Sequence, residues 1–281
     1  MAETRTPTPT LLWQQVRYQN TLFWRTPVAA FFTLVFPLMF LVLFSLLFGD
    51  EMIEIEGRDP LSIAQFFAPA LAGFAAASAT YTNIGVGQAI ARDERILKRI
   101  RATPLPPWIY LGGVVGSAVW MAFIAVAIMM TVGALAYDVE IMLDTLPAAL
   151  LTFVVGVSCF AALGLALAGF SPTGDTAPAV ANATLLPIAF ISDVFIPISD
   201  PPRWLEFFGD LFPLKHFVRG LQDAFSPFTT DLAFRWGDLA NMAVWTVIGT
   251  LLALRFFVWE PHADRETKRA SRGLRKRTAE D

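Results

Sequence analysis

The chain has 281 residues, of which 55% are hydrophobic and only 16% charged, with a formal net charge of -3 at neutral pH. A soluble domain carries about a quarter charged residues, so this composition excludes an ordinary soluble fold and points to a polytopic membrane protein, for which nucleic acid is not an expected partner. The single Cys159 rules out an intrachain disulfide or a cysteine metal site and reads as a small buried hydrophobe.

At the N-terminus, Leu11, Leu12, Trp13, Val16, Tyr18, Leu22, Phe23 and Trp24 interleave with Gln14, Gln15, Arg17, Asn20 and Arg25 and stop at Pro27. This pattern predicts an amphipathic helix lying along the inner membrane surface and turning sharply into the first span. A bilayer core of about 30 Å needs about 20 apolar residues as helix. Pro27 to Gly49, Leu61 to Ala91, Ala102 to Tyr137 and Thr145 to Gly174 meet that length. Two shorter runs complete a set of six: Thr176 to Ser192, and Leu239 to Leu254 continuing past Arg255 to Trp259. The expected organisation is a cytoplasmic N-terminus over residues 1–27, a six-span domain over 28–259, and a mobile basic tail over 260–281. The run that follows residues 1–27 is too long for the apolar region of a signal peptide.

Lys and Arg set the orientation. Arg5, Arg17 and Arg25 precede the first span, five bases occupy the second connection, and Arg265 to Arg277 fill the tail, all on one side of six spans. Asp50, Glu51, Glu54, Glu56 and Asp59 dominate the first connection, and Asp138, Glu140 and Asp144 the third. The positive-inside rule puts both termini in the cytoplasm, and the plasma (inner) membrane is the expected location.

The second connection is Arg92-Asp93-Glu94-Arg95-Ile96-Leu97-Lys98-Arg99-Ile100-Arg101, closed by Thr103-Pro104-Leu105-Pro106-Pro107. As one helix it gathers Ile96, Leu97 and Ile100 on a face, and Pro104 stops it. Such an element can press that face into a groove on a cytoplasmic partner, although topology alone also accounts for the bases. In the spans, Ser78, Thr80, Tyr81, Thr82, Asn83, Asn182 and Thr184 are polar enough to line a pathway for an amphipathic cargo, and equally suited to gluing helices together.

The outer connection, Ile198 to Gly237, is too apolar for a plain loop. Trp204, Leu205, Phe207, Phe208, Leu211 and Phe212 precede Pro213, while Phe217, Val218, Leu221, Ala224 and Phe225 follow it. Two short helices dipping into the outer leaflet would bury these faces, and two surface helices that merely cap the bundle fit the same sequence. There is no Gly-x-x-x-x-Gly-Lys phosphate loop, and Gly85-Val86-Gly87 reads as helix packing. His216 and His262 have no metal-spaced companions, so no metal site is expected. The chain itself is not expected to be an enzyme or to bind a cofactor.

Two stretches resemble the ABC type-2 transporter permeases, including the daunorubicin-resistance-like multidrug and lipid exporters. The first is Ala91 to Gly113, with Arg92-Asp93-Glu94-Arg95, Leu97 to Pro106 and Tyr110-Leu111-Gly112-Gly113. The second is Pro187 to Arg219, with Ile196-Pro197, Pro202, Trp204-Leu205 and Phe212-Pro213-Leu214-Lys215-His216-Phe217-Val218-Arg219. The resemblance implies an all-α integral membrane fold of six transmembrane helices with an N-terminal interfacial helix, a cytoplasmic coupling helix and an outer re-entrant helical hairpin. It assigns Arg92 to Arg101 to the coupling helix and Trp204, Pro213, His216 and Arg219 to the outer hairpin. It also implies a second permease subunit, identical or not, and two cytoplasmic ABC ATPase subunits that use ATP and Mg²⁺ to drive outward transport of a drug, natural product or lipid. One departure is Ser192-Asp193, where the family commonly has Ser-Gly; the acid is either a pathway residue, with Arg203, Lys215 or Arg219 as partners, or a wet helix end. The pathway candidates are therefore Tyr81, Asn83, Asn182 and Asp193. A secondary transporter and an integral membrane lipid-modifying enzyme remain as alternatives, distinguished by whether a cognate ATPase accompanies the chain.

Overall fold

The computed structural model describes residues 7–48, 52–53, 61–195, 202–229 and 233–259. The tail with His262, the Ile196-Pro197 motif and the acids of the first connection lie outside these residues. The chain order is α1 (Thr8–Trp24), α2 (Pro27–Ala30), a π-helical turn (Phe31–Val35), α3 (Phe36–Phe48), β1 (Met52–Ile53), β2 (Leu61–Ser62), α4 (Ile63–Asp93), α5 (Ile96–Arg101), α6 (Pro107–Tyr137), α7 (Leu146–Phe170), α8 (Ala177–Phe190), α9 (Arg203–Leu211), α10 (Pro213–Ala224) and α11 (Trp236–Phe256). The architecture is helical apart from an antiparallel ladder pairing Met52 with Ser62 and Ile53 with Leu61.

Among the described residues, five helices are long and apolar enough to cross a membrane: Pro27–Phe48, Ile63–Asp93, Pro107–Tyr137, Leu146–Phe170 and Trp236–Phe256. The first joins α2 and α3 through the π turn. Its widened turn lies just before Pro37, which lacks the N–H for an i−4 bond and whose ring crowds the carbonyl of Thr33. The expected fifth span is shorter than its sequence run. α8 has 14 residues, about 21 Å at the α-helical rise, because Thr173 and Thr176 tie a turn before it and Asp193 turns left-handed after it. Similarly, α7 stops at Phe170 rather than Gly174, since Pro172 disfavours the helical conformation at Ser171. The third spanning helix starts at Pro107, after the proline cluster, not at Ala102.

α4 is the axis of the bundle. It packs against α6, α7, α10, α3 and α8, and the run Ala68 to Ala77 is buried throughout. Small residues let the neighbours come this close: a Cβ on Gly164 of α7 would sit 2.7 Å from the Tyr81 carbonyl of α4. In lipid, packing of this kind replaces the hydrophobic drive that holds soluble helices together. α1 uses the same device, with Gln15 and Val16 seated over Gly113 and Gly116 of α6. Trp13, Tyr18 and Trp24 of α1 remain exposed.

α9 and α10 are two short helices that meet at Phe212 and Pro213. α10 is part of the core, with Leu214, Phe217, Val218 and Leu221 buried against α4 and α7, whereas α9 exposes Trp204, Phe207 and Phe208. The Phe217 ring fills the notch over Gly156 of α7, where an added Cβ would meet ring carbons at 2.3 Å. Gly156→Leu is therefore expected to lower stability by about 1–3 kcal/mol through overpacking. Thermal unfolding in detergent measures this, and Phe217→Ala should relieve part of the loss in the double variant; an unchanged melting temperature in Gly156→Leu would show that α10 is not seated there.

Candidate functional site

The expected single helix from Arg92 to Arg101 is divided by the structure. α4 continues through Asp93, Glu94 caps it, and Arg95 adopts φ 59°, the left-handed conformation that ends a helix. Only Ile96–Arg101 forms α5. This reversal folds α5 back onto the bundle. Leu97 is 0% exposed in a cluster with Ile84, Tyr110, Val114, Ala118 and Ala161, and Ile100 packs against that cluster. The apolar face expected to meet a partner is thus turned inward, and Arg95, Lys98, Arg99 and Arg101 form the exposed face.

Arg92 has a different task from the other bases. Its side chain is 1% exposed, and its guanidinium donates to the carbonyls of Ala168 at 2.8 Å, Ser171 at 2.9 Å and Pro172 at 3.3 Å. Those carbonyls lie at the C-terminal end of α7, where backbone acceptors lack intrahelical partners and the helix dipole favours a cation. Asp93 completes the joint: Oδ1 accepts from Arg92 Nε at 3.0 Å and Oδ2 accepts from the Gly174 amide at 2.6 Å. α5 therefore hangs from a helix end that is fastened to the α7–α8 connection.

A cavity of about 470 Å³ opens between α1, α4, α5 and α6. Its walls are mainly apolar, with Tyr18, Gln19, Thr26, Asn83, Gln88, Tyr110 and Ser117 as polar groups and Arg25 and Glu94 as charged ones. Of the four expected pathway residues, only Asn83 lines it. Asn83 also donates to Thr33 of the first spanning helix at 3.1 Å, Tyr81 shares a 2.7 Å hydrogen bond with Thr184 of α8, Asn182 is exposed on α8, and Asp193 lies in the turn beyond it. The structure does not bring these four to one place. Tyr81 and Asn83 act at least as inter-helix contacts.

The opposite end of the bundle carries an ion network. His216 Nε2 donates to the Asp210 carbonyl at 2.7 Å, and Nδ1 meets Asp238 Oδ1 of α11 at 2.6 Å. Arg235 donates to Asp238 Oδ2 at 2.6 Å and to Asp223, while Lys215 at 2.9 Å and Arg219 at 3.3 Å pair with Asp210. This network joins α9, α10 and α11, and pairing with Asp210 rather than Asp193 occupies both Lys215 and Arg219. Burial alone would raise the Asp210 carboxyl, but the hydrogen bond and charge of Lys215, with Arg219 and His216, more than offset it and hold it below the ordinary carboxylate range.

Sequence reasoning missed Asp210, Asp223, Arg235 and Asp238, which are scattered singly over 29 positions of sequence and meet only when α10 and α11 pack. It also missed the cavity. Gln88, Tyr110 and Ser117 are isolated polar residues on two different spans, and only the quoted Tyr110-Leu111-Gly112-Gly113 motif pointed near them.

Two tests follow from this geometry. Arg92→Ala leaves buried carbonyls without their donor and is expected to cost on the order of 2–3 kcal/mol, read by denaturant unfolding in detergent, with Arg92→Lys recovering part of it; wild-type stability in Arg92→Ala would refute the fastening role. For Asp210, a lowered folded pKa means stability that is present above the unfolded value of about 3.9 and lost as pH falls through the folded value. Being 44% exposed, it contributes modestly, within about 1 kcal/mol. The melting difference between wild type and Asp210→Asn should hold from about pH 7 to about pH 5 and close only below about pH 4.

Comparison with known proteins agrees with this arrangement. The chain is 24% identical over 194 residues to the inner membrane transport permease YadH of Escherichia coli K12, a match covering 69% of this chain and 75% of that protein. The YadH proteins of Escherichia coli O157:H7 and Shigella flexneri match to the same extent. Residues 10–226 match the ABC-2 type transporter model, a region that runs from α1 through α10 and takes in the α4–α5 joint, and on that match the chain belongs to the ABC-2 type transporter family.

Proposed function

We propose that this chain is the permease subunit of an ATP-driven exporter in the plasma (inner) membrane, with both termini in the cytoplasm. The observation that carries this reading is α5: a short helix with an exposed cationic face, held between the second and third spanning helices of an ABC-2 type chain. Two separate cytoplasmic ABC ATPase subunits, using ATP and Mg²⁺, dock on α5 and supply the energy. A second permease subunit, identical or different, completes the transport unit. The distribution of Lys and Arg among the connections supports the cytoplasmic placement of α5, and relatives named as inner membrane transport permeases support the compartment.

In this mechanism, closure of the ATPases on nucleotide pushes α5. Leu97 transfers that displacement to the cluster it shares with α4, α6 and α7, and the Arg92–Asp93 joint carries it to the α7–α8 connection. The spans then rock as bodies about the closely packed α4. Exposed Asn182 on α8 and the Tyr81–Thr184 pair border the surface that a second permease subunit would meet, and cargo passes along that border. The cargo is hydrophobic or amphipathic, a drug, natural product or lipid, in keeping with spans rich in Phe, Met and Ala. The α9–α10 hairpin, with the exposed aromatic face of α9, re-enters the outer leaflet and closes the outer mouth.

The test is copurification of the tagged chain from its native membrane in mild detergent. A near-stoichiometric ATP-hydrolysing subunit is expected, and it should be lost in the Arg99→Glu, Arg101→Glu double variant while the permease retains its melting temperature. Leu97 is a poor probe of docking, because Leu97→Asp would place a charge inside the bundle. A correctly folded wild-type chain that purifies without any ATPase would overturn the proposal.

A further inference from the structure

The cavity between α1, α4, α5 and α6 has a shape and chemistry that the transport cycle above does not use. It lies at the turn where α1 gives way to the first spanning helix, and Arg25, Thr26 and Ala29 from that turn line it. Trp13 and Trp24, exposed on α1, belong at the level of the headgroups, so the mouth of the cavity sits at that depth with its apolar walls extending toward the acyl chains. A mainly apolar cavity of about 470 Å³ is within the size range of small-molecule sites, about 300–1,000 Å³.

Its charged groups narrow the occupant. Arg25 from the turn that ends α1 and Glu94 from the α4–α5 joint are both exposed, both line the cavity, and neither is in an ion pair among the described residues. One cationic and one anionic group on separate elements match a headgroup that itself carries both charges, a phosphate for Arg25 and an ammonium for Glu94. We infer that this cavity is a binding site for one zwitterionic phospholipid of the phosphatidylethanolamine type, with an acyl chain between α4 and α6 and the headgroup bridging Arg25 and Glu94. The lipid thereby joins α1 to the base of α5. This inference requires only that the chain resides in a bilayer, and it stands or falls separately from the assignment of cargo and ATPase.

Gly87 provides a direct way to fill the site. It lies on α4 at the cavity wall, and a Cβ placed there meets nothing within 4 Å, so a side chain can start there without a clash; Gly87→Phe is expected to project its ring into the cavity and exchanges a poor helix former for a better one. The experiment reconstitutes the full chain in vesicles of equal parts phosphatidylethanolamine and phosphatidylglycerol, with a photoreactive diazirine on the acyl chain of one or the other, and maps the labelled peptides by mass spectrometry. Residues 86–90 and 117–121 of wild type are expected to be labelled preferentially by the phosphatidylethanolamine probe. Labelling there should fall at least fivefold in Gly87→Phe, with labelling at exposed Leu135 and Leu254 unchanged, and Glu94→Gln should abolish the headgroup preference while labelling persists. Absence of label at these residues in wild type, equal label in Gly87→Phe, or a preference that survives Glu94→Gln would each overturn the proposal.

Discussion

Close approach of neighbouring helices to α4 is the constraint on which the rest of the structure depends. Lipid tails are as apolar as leucine, so burying a leucine between helices gains little over leaving it in the bilayer, and association relies on contact area and shape. α4 meets that requirement with a core run of alanines and with Gly85. α7 answers with Gly164, which sits against the α4 backbone, and with Gly156, which receives Phe217 from α10. Three helices are thereby brought to one axis, and every other contact is arranged around it.

Both ends of that axis are fastened by polar side chains to backbone carbonyls. At one end, Gln65 donates to the carbonyls of Phe225 and Glu140 and accepts from the Glu140 amide, which ties the α6–α7 connection to the end of α10. At the other, Arg92 takes the carbonyls that end α7. Burying a polar group in an apolar fold is costly unless it is hydrogen-bonded, and these side chains satisfy two sets at once: their own and those of helix termini. The consequence for function is mechanical. α5 is attached to a rigid rod whose far end is also fixed, so displacement of α5 moves packed helices together instead of being absorbed in a loose connection.

The ion network of His216, Asp238, Arg235, Asp223, Asp210, Lys215 and Arg219 gives the other end of the bundle a different character. Here charge joins α9, α10 and α11, where α9 exposes much of its apolar surface and contributes little packing of its own. Buried or half-buried charges therefore occur at both ends of the bundle as joints. Neither group is arranged as a reaction centre: Arg92 is occupied by carbonyls, and both nitrogens of His216 already face acceptors.

Sequence by itself determined that this is a helical membrane chain, where most of its spanning helices lie, and that a short basic helix follows the second of them. Length, lack of charge and proline stops are local properties, and a bilayer converts them directly into spans. The two short helices α9 and α10 were legible for the same reason, from Pro213 and the aromatic clusters on either side. Only the tertiary structure decided what individual residues do. Arg92 stands in the same basic run as Arg99 and cannot be distinguished from it by spacing, yet one is sealed against the end of α7 and the other is exposed, because a left-handed Arg95 separates their helices. Ile96, Leu97 and Ile100 form an apolar face in any helical projection, but whether that face points to a partner or to the protein itself depends on the direction of α5, which the turn at Arg95 sets. The cavity and the His216 network are likewise products of which helices become neighbours, and that was settled by the small residues through which α4 and α7 meet.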